Sequence, residues 1–170
     1  YWTGRGNNLT TAAQRKVRFK GPGQSYQNIT AETTNIRYPG DNDMYADYAD
    51  VTNLVKTGGT GTYTVADVAT STGNGGSTGY YGGWSMVVVY ENAKMNWRDV
   101  TIFDGYAYVT GSVASNEIVV SGFKAAQKGN VNLKLGFTAG EGDVGISGDY
   151  FQIRKKNNDN NWLDLEHSGN

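Results

Sequence analysis

The chain has 170 residues with 16 acidic side chains, 15 basic side chains, one histidine and no cysteine, for a net charge of −1. This length suits one domain, and the lack of cysteine excludes disulfide frameworks, thiolate metal sites and cysteine nucleophiles. The balanced charge argues against a nucleic-acid-binding surface, and no apolar run approaches the roughly 20 residues that insert across a membrane.

The composition favours strands. Glycine contributes 24 residues, about twice its usual share of ~7%, and tyrosine contributes 12. Gly, Asn and Thr disfavour helices, whereas Tyr, Thr and Val suit strands. We therefore predict an all-β fold: a single antiparallel β-sandwich or jelly-roll domain over residues 1–170, with about 9–11 short strands and at most one short helix.

The first 60 residues contain a predicted hairpin and a predicted helical turn. Residues 15–19 alternate as a strand, a Gly-Pro-Gly turn follows at 21–23, and residues 25–31 return as a second strand. Residues 38–43 have the composition of a loop. Residues 50–55 predict one helical turn, with Asp50 as its N-cap and two glycines as its stop.

The remaining residues predict further strands around one long loop. Residues 60–69 alternate as a strand, and residues 70–83 form a Gly/Ser/Thr/Asn loop that we expect to be mobile. The most hydrophobic run, residues 84–90, predicts a central strand because it is short and contains three consecutive β-branched residues. Further alternating or apolar strands are predicted at residues 97–103, 106–109, 117–123, 130–139, 150–155 and 162–165.

Two blocks in the middle of the chain resemble a known module. Residues 80–91 read YYGGWSMVVVYE and residues 98–106 read RDVTIFDGY, preceded by YADYADVT at 45–52 and YTVADV at 63–68. In this order they resemble a β-sandwich module of large secreted or surface-anchored bacterial adhesin-like proteins. The likeness spans about residues 15–155. It implies an extracellular, cell-surface location beside other domains of the same chain, and it brings no catalytic residues.

The two ends of the sequence predict a piece of a longer protein. The opening YWTG looks like the tail of a strand, and the last residues form a polar, turn-like stretch. We therefore expect the chain to belong to a longer multidomain surface protein.

Catalytic groups are scarce. The one histidine, His167, lies three residues from the end, where an imidazole oriented for a catalytic triad is not expected. The alternative that the sequence leaves is a pair of catalytic carboxylates of the glycosidase type, for example Glu141 and Asp143. Trp84 and Trp97 fall in strand patterns and are better explained as core residues than as sugar platforms. We predict that the chain is not an enzyme.

Calcium is the ion that the acidic segments suit best, because it accepts six to eight oxygen ligands from irregular loops. The candidate ligands are Asp41, Asp43 and Asp47 in one segment and Glu141, Asp143 and Asp149 in another. The spacing does not match an EF-hand. The alternative is that these Asp residues only make turns.

Three functions fit these features. The first is an adhesive or structural module that binds a surface glycan or protein ligand. The second is a carbohydrate-binding module, for which the candidate ligand-binding residues are Tyr80, Tyr81, Tyr106 and Tyr108. The third is a filament subunit that assembles by strand exchange at an open sheet edge.

Overall fold

The computed structural model describes residues 1–32, 36–38, 41–109, 115–140, 148–154 and 161–165. The elements, in chain order, are β1 (Trp2–Arg5), α1 (Thr11–Gln14), β2 (Lys16–Lys20), β3 (Gln27–Thr30), β4 (Ile36–Tyr38), β5 (Asp41–Asp47), α2 (Thr52–Gly58), β6 (Thr64–Ala66), β7 (Tyr81–Trp84), β8 (Gln152–Ile153) and β9 (Leu163–Asp164). All pairings between these strands are antiparallel. The predicted all-β class is confirmed, whereas closure of the sheets into a sandwich stays a prediction.

The chain divides into two compact units. Residues 1–116 and 122–140 form the first, and residues 117–121 and 141–170 form the second. Within the described parts of both units, no helix is long and apolar enough to cross a membrane.

The larger sheet of the first unit brings together distant parts of the sequence. Its strand order is β4-β5-β1-β7. Trp2 in β1 lies opposite Asp47 of β5 on one side and opposite Trp84 of β7 on the other. The chain therefore places β1 between strands that begin about 40 and 80 residues later, a pairing that local sequence patterns do not specify.

The smaller sheet contains the predicted hairpin. Its order is β3-β2-β6, and Lys16 in β2 lies opposite Thr30 in β3. The turn is closed by a 3.1 Å hydrogen bond from Gln24 N to Gly21 O. The predicted hairpin over residues 15–31 is confirmed, and the predicted strand at 60–69 is present as the shorter β6.

The core of the first unit is small and includes residues from both sheets. Trp2, Val17, Ala31 and Tyr45 form one buried cluster. The Tyr45 ring fits over β1 because Gly4 has no side chain: a Cβ there would lie 2.9 Å from the Tyr45 hydroxyl oxygen. That hydroxyl donates a 2.8 Å hydrogen bond to Ala69 O, so the buried polar group has a partner.

The described residues contain two short helices, so the prediction of at most one is wrong. The helix predicted at 50–55 is present as α2, but its N-cap is Val51, so the prediction of Asp50 as the N-cap is wrong. The Asp50 carboxylate still accepts a 2.7 Å hydrogen bond from Thr52 N, the first residue of the helix. The missed helix, α1, is a single turn with Thr10 as its N-cap, and Thr10 Oγ1 accepts a 3.2 Å hydrogen bond from Ala13 N. Such a side-chain cap stabilises a short turn.

Several predictions of strands and loops need correction. The segment predicted as a loop at 38–43 is wrong for residues 41–43, which begin β5; pairing with β1 and β4 outweighs the turn preference of Asp and Asn. The hydrophobic run at 84–90 lies in β7 only at Trp84. The prediction that Trp84 and Trp97 are core residues is wrong, because they are 42% and 98% exposed. The segments at 97–103, 106–109, 117–123 and 130–139 form no strand. Alternation indicates a suitable face, but a strand also needs a hydrogen-bonded neighbour.

The second unit contains the two-stranded sheet of β8 and β9, in which Gln152 lies opposite Asp164. Arg154 follows β8, pairs with Glu117 at 2.6 Å and lies 4.4 Å from the ring centroid of Trp162. The predicted strands at 150–155 and 162–165 are thus present as shorter elements.

Candidate functional site

The Gly-rich loop before β7 is fastened to β1 by Arg5. The guanidinium nitrogen NH1 of Arg5 donates to Gly75 O and to Gly79 O, both at 2.8 Å. The guanidinium carbon also lies 5.7 Å from the centroid of the Tyr80 ring. One charged side chain therefore holds both ends of a tight segment, residues 75–79, and contacts the aromatic residue that follows it.

Further hydrogen bonds fix the start of the same loop. Thr70 Oγ1 donates to Arg5 O at 2.8 Å, and Asn7 N donates to Ser71 Oγ at 2.9 Å. Gly76 N donates to Asn74 Oδ1 at 2.7 Å, which closes a local Asx turn. We name residues 70–80 the anchored loop. The segment that we predicted to be mobile is thus held at several points by residues far away in the sequence.

Gly75 is required at the tightest point of the anchored loop. Its φ is +64°, and a Cβ there would lie 2.5 Å from both Gly79 C and Tyr80 N. Gly76 has a similar φ of +75°, but no atom lies within 4 Å of a Cβ there. The glycines that suggested flexibility in the sequence therefore permit a compact turn instead.

Three of the four predicted ligand-binding tyrosines are brought together. Tyr81 in β7, Tyr108 and Tyr1 all lie close enough to Tyr106 to influence its phenol electrostatically. We name Tyr1, Tyr81, Tyr106 and Tyr108 the tyrosine cluster. All four are partly buried. The fourth predicted residue, Tyr80, is instead the tyrosine that contacts Arg5.

The surroundings of Tyr106 and Tyr1 favour the neutral forms of these two phenols. Burial raises the pKa of Tyr106, and the neighbouring Tyr81 raises it further. Burial also raises the pKa of the Tyr1 phenol, and the negative charges of Asp104 and Asp47 add to the effect. Neutral phenols both donate and accept hydrogen bonds, so the cluster presents partly exposed rings together with polar hydroxyls.

The structure separates the residues predicted as the first calcium site. Asp43 Oδ1 accepts a 3.1 Å hydrogen bond from Leu9 N, whereas Asp47 is buried at the other end of β5. Along a strand their Cα atoms are about 13 Å apart, too far for both carboxylates to ligate one ion directly. The side chain of Asp41 lies outside the part of the chain whose side chains are described.

The second calcium segment is largely outside the described residues. Glu141, Asp143 and His167 are all outside the described residues. Asp149 is described, and its side chain is exposed. Among the residues that the structure describes, no group of three or more His, Asp or Glu side chains is placed to hold a metal ion. Calcium binding stays a prediction.

Arg5 is the residue that sequence reasoning missed. A single arginine in a WTGRG segment carries no local signal of a contact 70 residues away. The contact follows only from the pairing of β1 with β7, which places Arg5 opposite Tyr81 at the foot of the loop.

Comparison with known proteins gives no assignment. No protein-family model matches the chain, and no curated protein and no solved structure matches it significantly. The resemblance to the bacterial surface module therefore stays a prediction that depends on the quoted sequence blocks.

Proposed function

We propose that the chain is a non-catalytic recognition module of an extracellular bacterial surface protein, with an adhesive role. The observation that carries the proposal is the anchored loop, whose backbone is held by Arg5 at Gly75 and Gly79. Binding residues are commonly presented on loops held by a rigid β scaffold. A loop that is fixed before it meets its ligand loses less conformational freedom on binding.

The composition and the resemblance support the same proposal. The sequence offers neither a cysteine nor a histidine within its first 166 residues, and it resembles a module for which no activity is implied. The exposed atoms of the anchored loop are mainly glycine backbone and short hydroxyl and amide side chains. Such groups give adaptable hydrogen bonds next to the aromatic ring of Tyr80.

The tyrosine cluster favours a carbohydrate as the ligand. Sugars present apolar ring faces edged by hydroxyls, and partly exposed tyrosines offer an aromatic face together with a hydroxyl donor and acceptor. Tyr81 and Tyr106 are close neighbours, so both rings are available to one ligand. A glycan is therefore our second, more specific proposal for this surface.

The test combines a glycan array with matched tyrosine variants. We expect the purified chain to bind a subset of glycans, and Tyr108→Ala to weaken that binding. Tyr90→Ala is the control, because Tyr90 is 74% exposed and lies outside the cluster. An equal loss of glycan binding in the Tyr108→Ala and Tyr90→Ala variants would contradict the carbohydrate proposal. So would the absence of binding to any glycan on the array.

The adhesive proposal has a separate readout. Beads coated with the chain are expected to adhere to surfaces bearing the ligand, and beads coated with the Gly75→Ala variant are expected to adhere less. Turnover of glycoside or ester substrates by the purified chain would contradict the non-catalytic part of the proposal.

A further inference from the structure

The outer face of the smaller sheet carries a row of cations. In β2, Lys16, Arg18 and Lys20 alternate with Val17 and Phe19, each of which is only 4% exposed. The period of two puts the three cations on one side of the strand and the two apolar side chains in the core. Lys16 and Arg18 are exposed and Lys20 is half-buried.

Tyr26 draws two of these cations together. The guanidinium carbon of Arg18 lies 5.2 Å from the Tyr26 ring centroid, and the ammonium nitrogen of Lys20 lies 5.1 Å from it. Both distances lie within the range of cation–π attraction. The ring is 41% exposed, so the arrangement is at the surface and accessible to a large ligand.

One carboxylate partly neutralises this face. Asp67 accepts two hydrogen bonds from Arg18, from Nε and from NH2, the latter at 3.0 Å. Neither Lys16 nor Lys20 forms an ion pair with another described residue. Three cations and one carboxylate leave a local charge of about +2 on a chain whose total charge is −1. This face is therefore locally basic, although the chain as a whole is slightly acidic.

We infer that this basic face, formed by Lys16, Arg18, Lys20, Tyr26 and Asn28, binds an acidic polysaccharide. Asn28 is exposed and lies opposite Arg18 in the ladder, where its amide adds a neutral hydrogen-bonding group. Lys16 and Lys20 are about 13 Å apart along the strand, so they contact separate anionic groups of one extended polymer. Carboxylates or sulfates repeated along a glycan supply such groups.

Two other polyanions fit this face less well. Nucleic-acid-binding domains usually have a pI above about 9, whereas this sequence has a pI of about 5.8. Anionic membranes are recognised by clusters of about four to eight basic residues, and this face has three. A polysaccharide with intermittent charges needs fewer cations. This proposal does not depend on the tyrosine cluster or the anchored loop.

The experiment measures binding of the whole chain to a polyuronate and to dextran sulfate at low ionic strength, with neutral dextran as the blank. We expect binding to both charged polymers and a decrease as salt rises, because exposed charges are screened. The double variant Lys16→Gln/Lys20→Gln is expected to weaken binding about tenfold or more. The control Lys56→Gln/Lys94→Gln removes the same charge from exposed positions elsewhere and is expected to bind normally.

A gain of affinity is the sharper test. Asp67→Asn removes the neutralising carboxylate, and Asn tolerates the φ of +63° at this position. We expect a several-fold increase in affinity for the charged polymers. Thermal unfolding shows whether each variant is folded.

Three results would overturn the proposal. The first is unchanged binding by a folded Lys16→Gln/Lys20→Gln variant, and the second is equal weakening by the control pair. The third is stronger Lys16- and Lys20-dependent binding to single-stranded oligonucleotides or to anionic vesicles than to either polysaccharide.

Discussion

The indole Nε1–H of Trp2 donates a 2.8 Å hydrogen bond to the backbone carbonyl of Gln14 in the buried core of the first unit. Trp2 is 3% exposed and packs with Val17 and Tyr45, so this one side chain joins β1, the end of α1 and both sheets. A buried polar group gains most from such a bond because no water replaces it.

Trp2→Phe is therefore expected to destabilise the fold by about 2–4 kcal/mol, from the loss of a donor to a buried carbonyl and of packed apolar area. The measurement is the free energy of unfolding in urea. Trp97→Phe is the matched control, because Trp97 is 98% exposed, and a change within about 0.5 kcal/mol is expected there. Equal effects of the two substitutions would contradict the placement of Trp2 in the core.

The glycines of the anchored loop allow a second matched comparison. An alanine at either Gly75 or Gly76 must adopt a positive φ, which costs about 1–2 kcal/mol. At Gly75 the new Cβ would also collide with the backbone at Gly79 and Tyr80, whereas at Gly76 it meets open space. Gly75→Ala is expected to lower the free energy of unfolding by at least about 1 kcal/mol more than Gly76→Ala does, as measured by thermal or urea unfolding. Equal costs would mean that the loop is not held in this compact form.

Local sequence patterns predicted the hairpin of β2 and β3 and the short helix α2, because alternation, a Gly-Pro-Gly turn and a glycine stop all act within a few residues. They could not predict the sheet that pairs β1 with β5 and β7, since nothing near Trp2 specifies Asp47 or Trp84 as a neighbour. The same distinction applies to the site. The sequence suggested Tyr80, Tyr81, Tyr106 and Tyr108 as candidates, whereas the contact of Arg5 with Tyr80 depends on long-range pairing.

Stability is expected to fall in alkaline solution. Burial raises the pKa of Tyr45 and of Tyr106 above the ordinary value of about 10. A phenol whose pKa is raised by folding contributes stability that is fully present below pH ~10 and is lost as the pH rises towards the folded-state pKa. Urea unfolding at a series of pH values is therefore expected to show a decline above pH ~10 that is shallower in Tyr106→Phe. Parallel curves for the two proteins would contradict the buried placement of this phenol.

Arg5→Lys keeps the positive charge and tests the geometry of the anchored loop. The planar guanidinium donates from NH1 to both Gly75 O and Gly79 O while its plane lies near the Tyr80 ring, and the compact ammonium of lysine does not reproduce this combination. The loop is therefore expected to lose about 1–2 kcal/mol of local stability. Amide hydrogen exchange within residues 71–80 should accelerate by about 5- to 30-fold, because exchange reports local opening. Arg98→Lys is the control, since Arg98 is exposed, and exchange in the loop should not change there. A contrary result would be unchanged hydrogen exchange in the loop together with a lower global free energy of unfolding. Arg5 would then stabilise the sheet and not the loop. The proposal of a preorganised recognition loop would lose its main support.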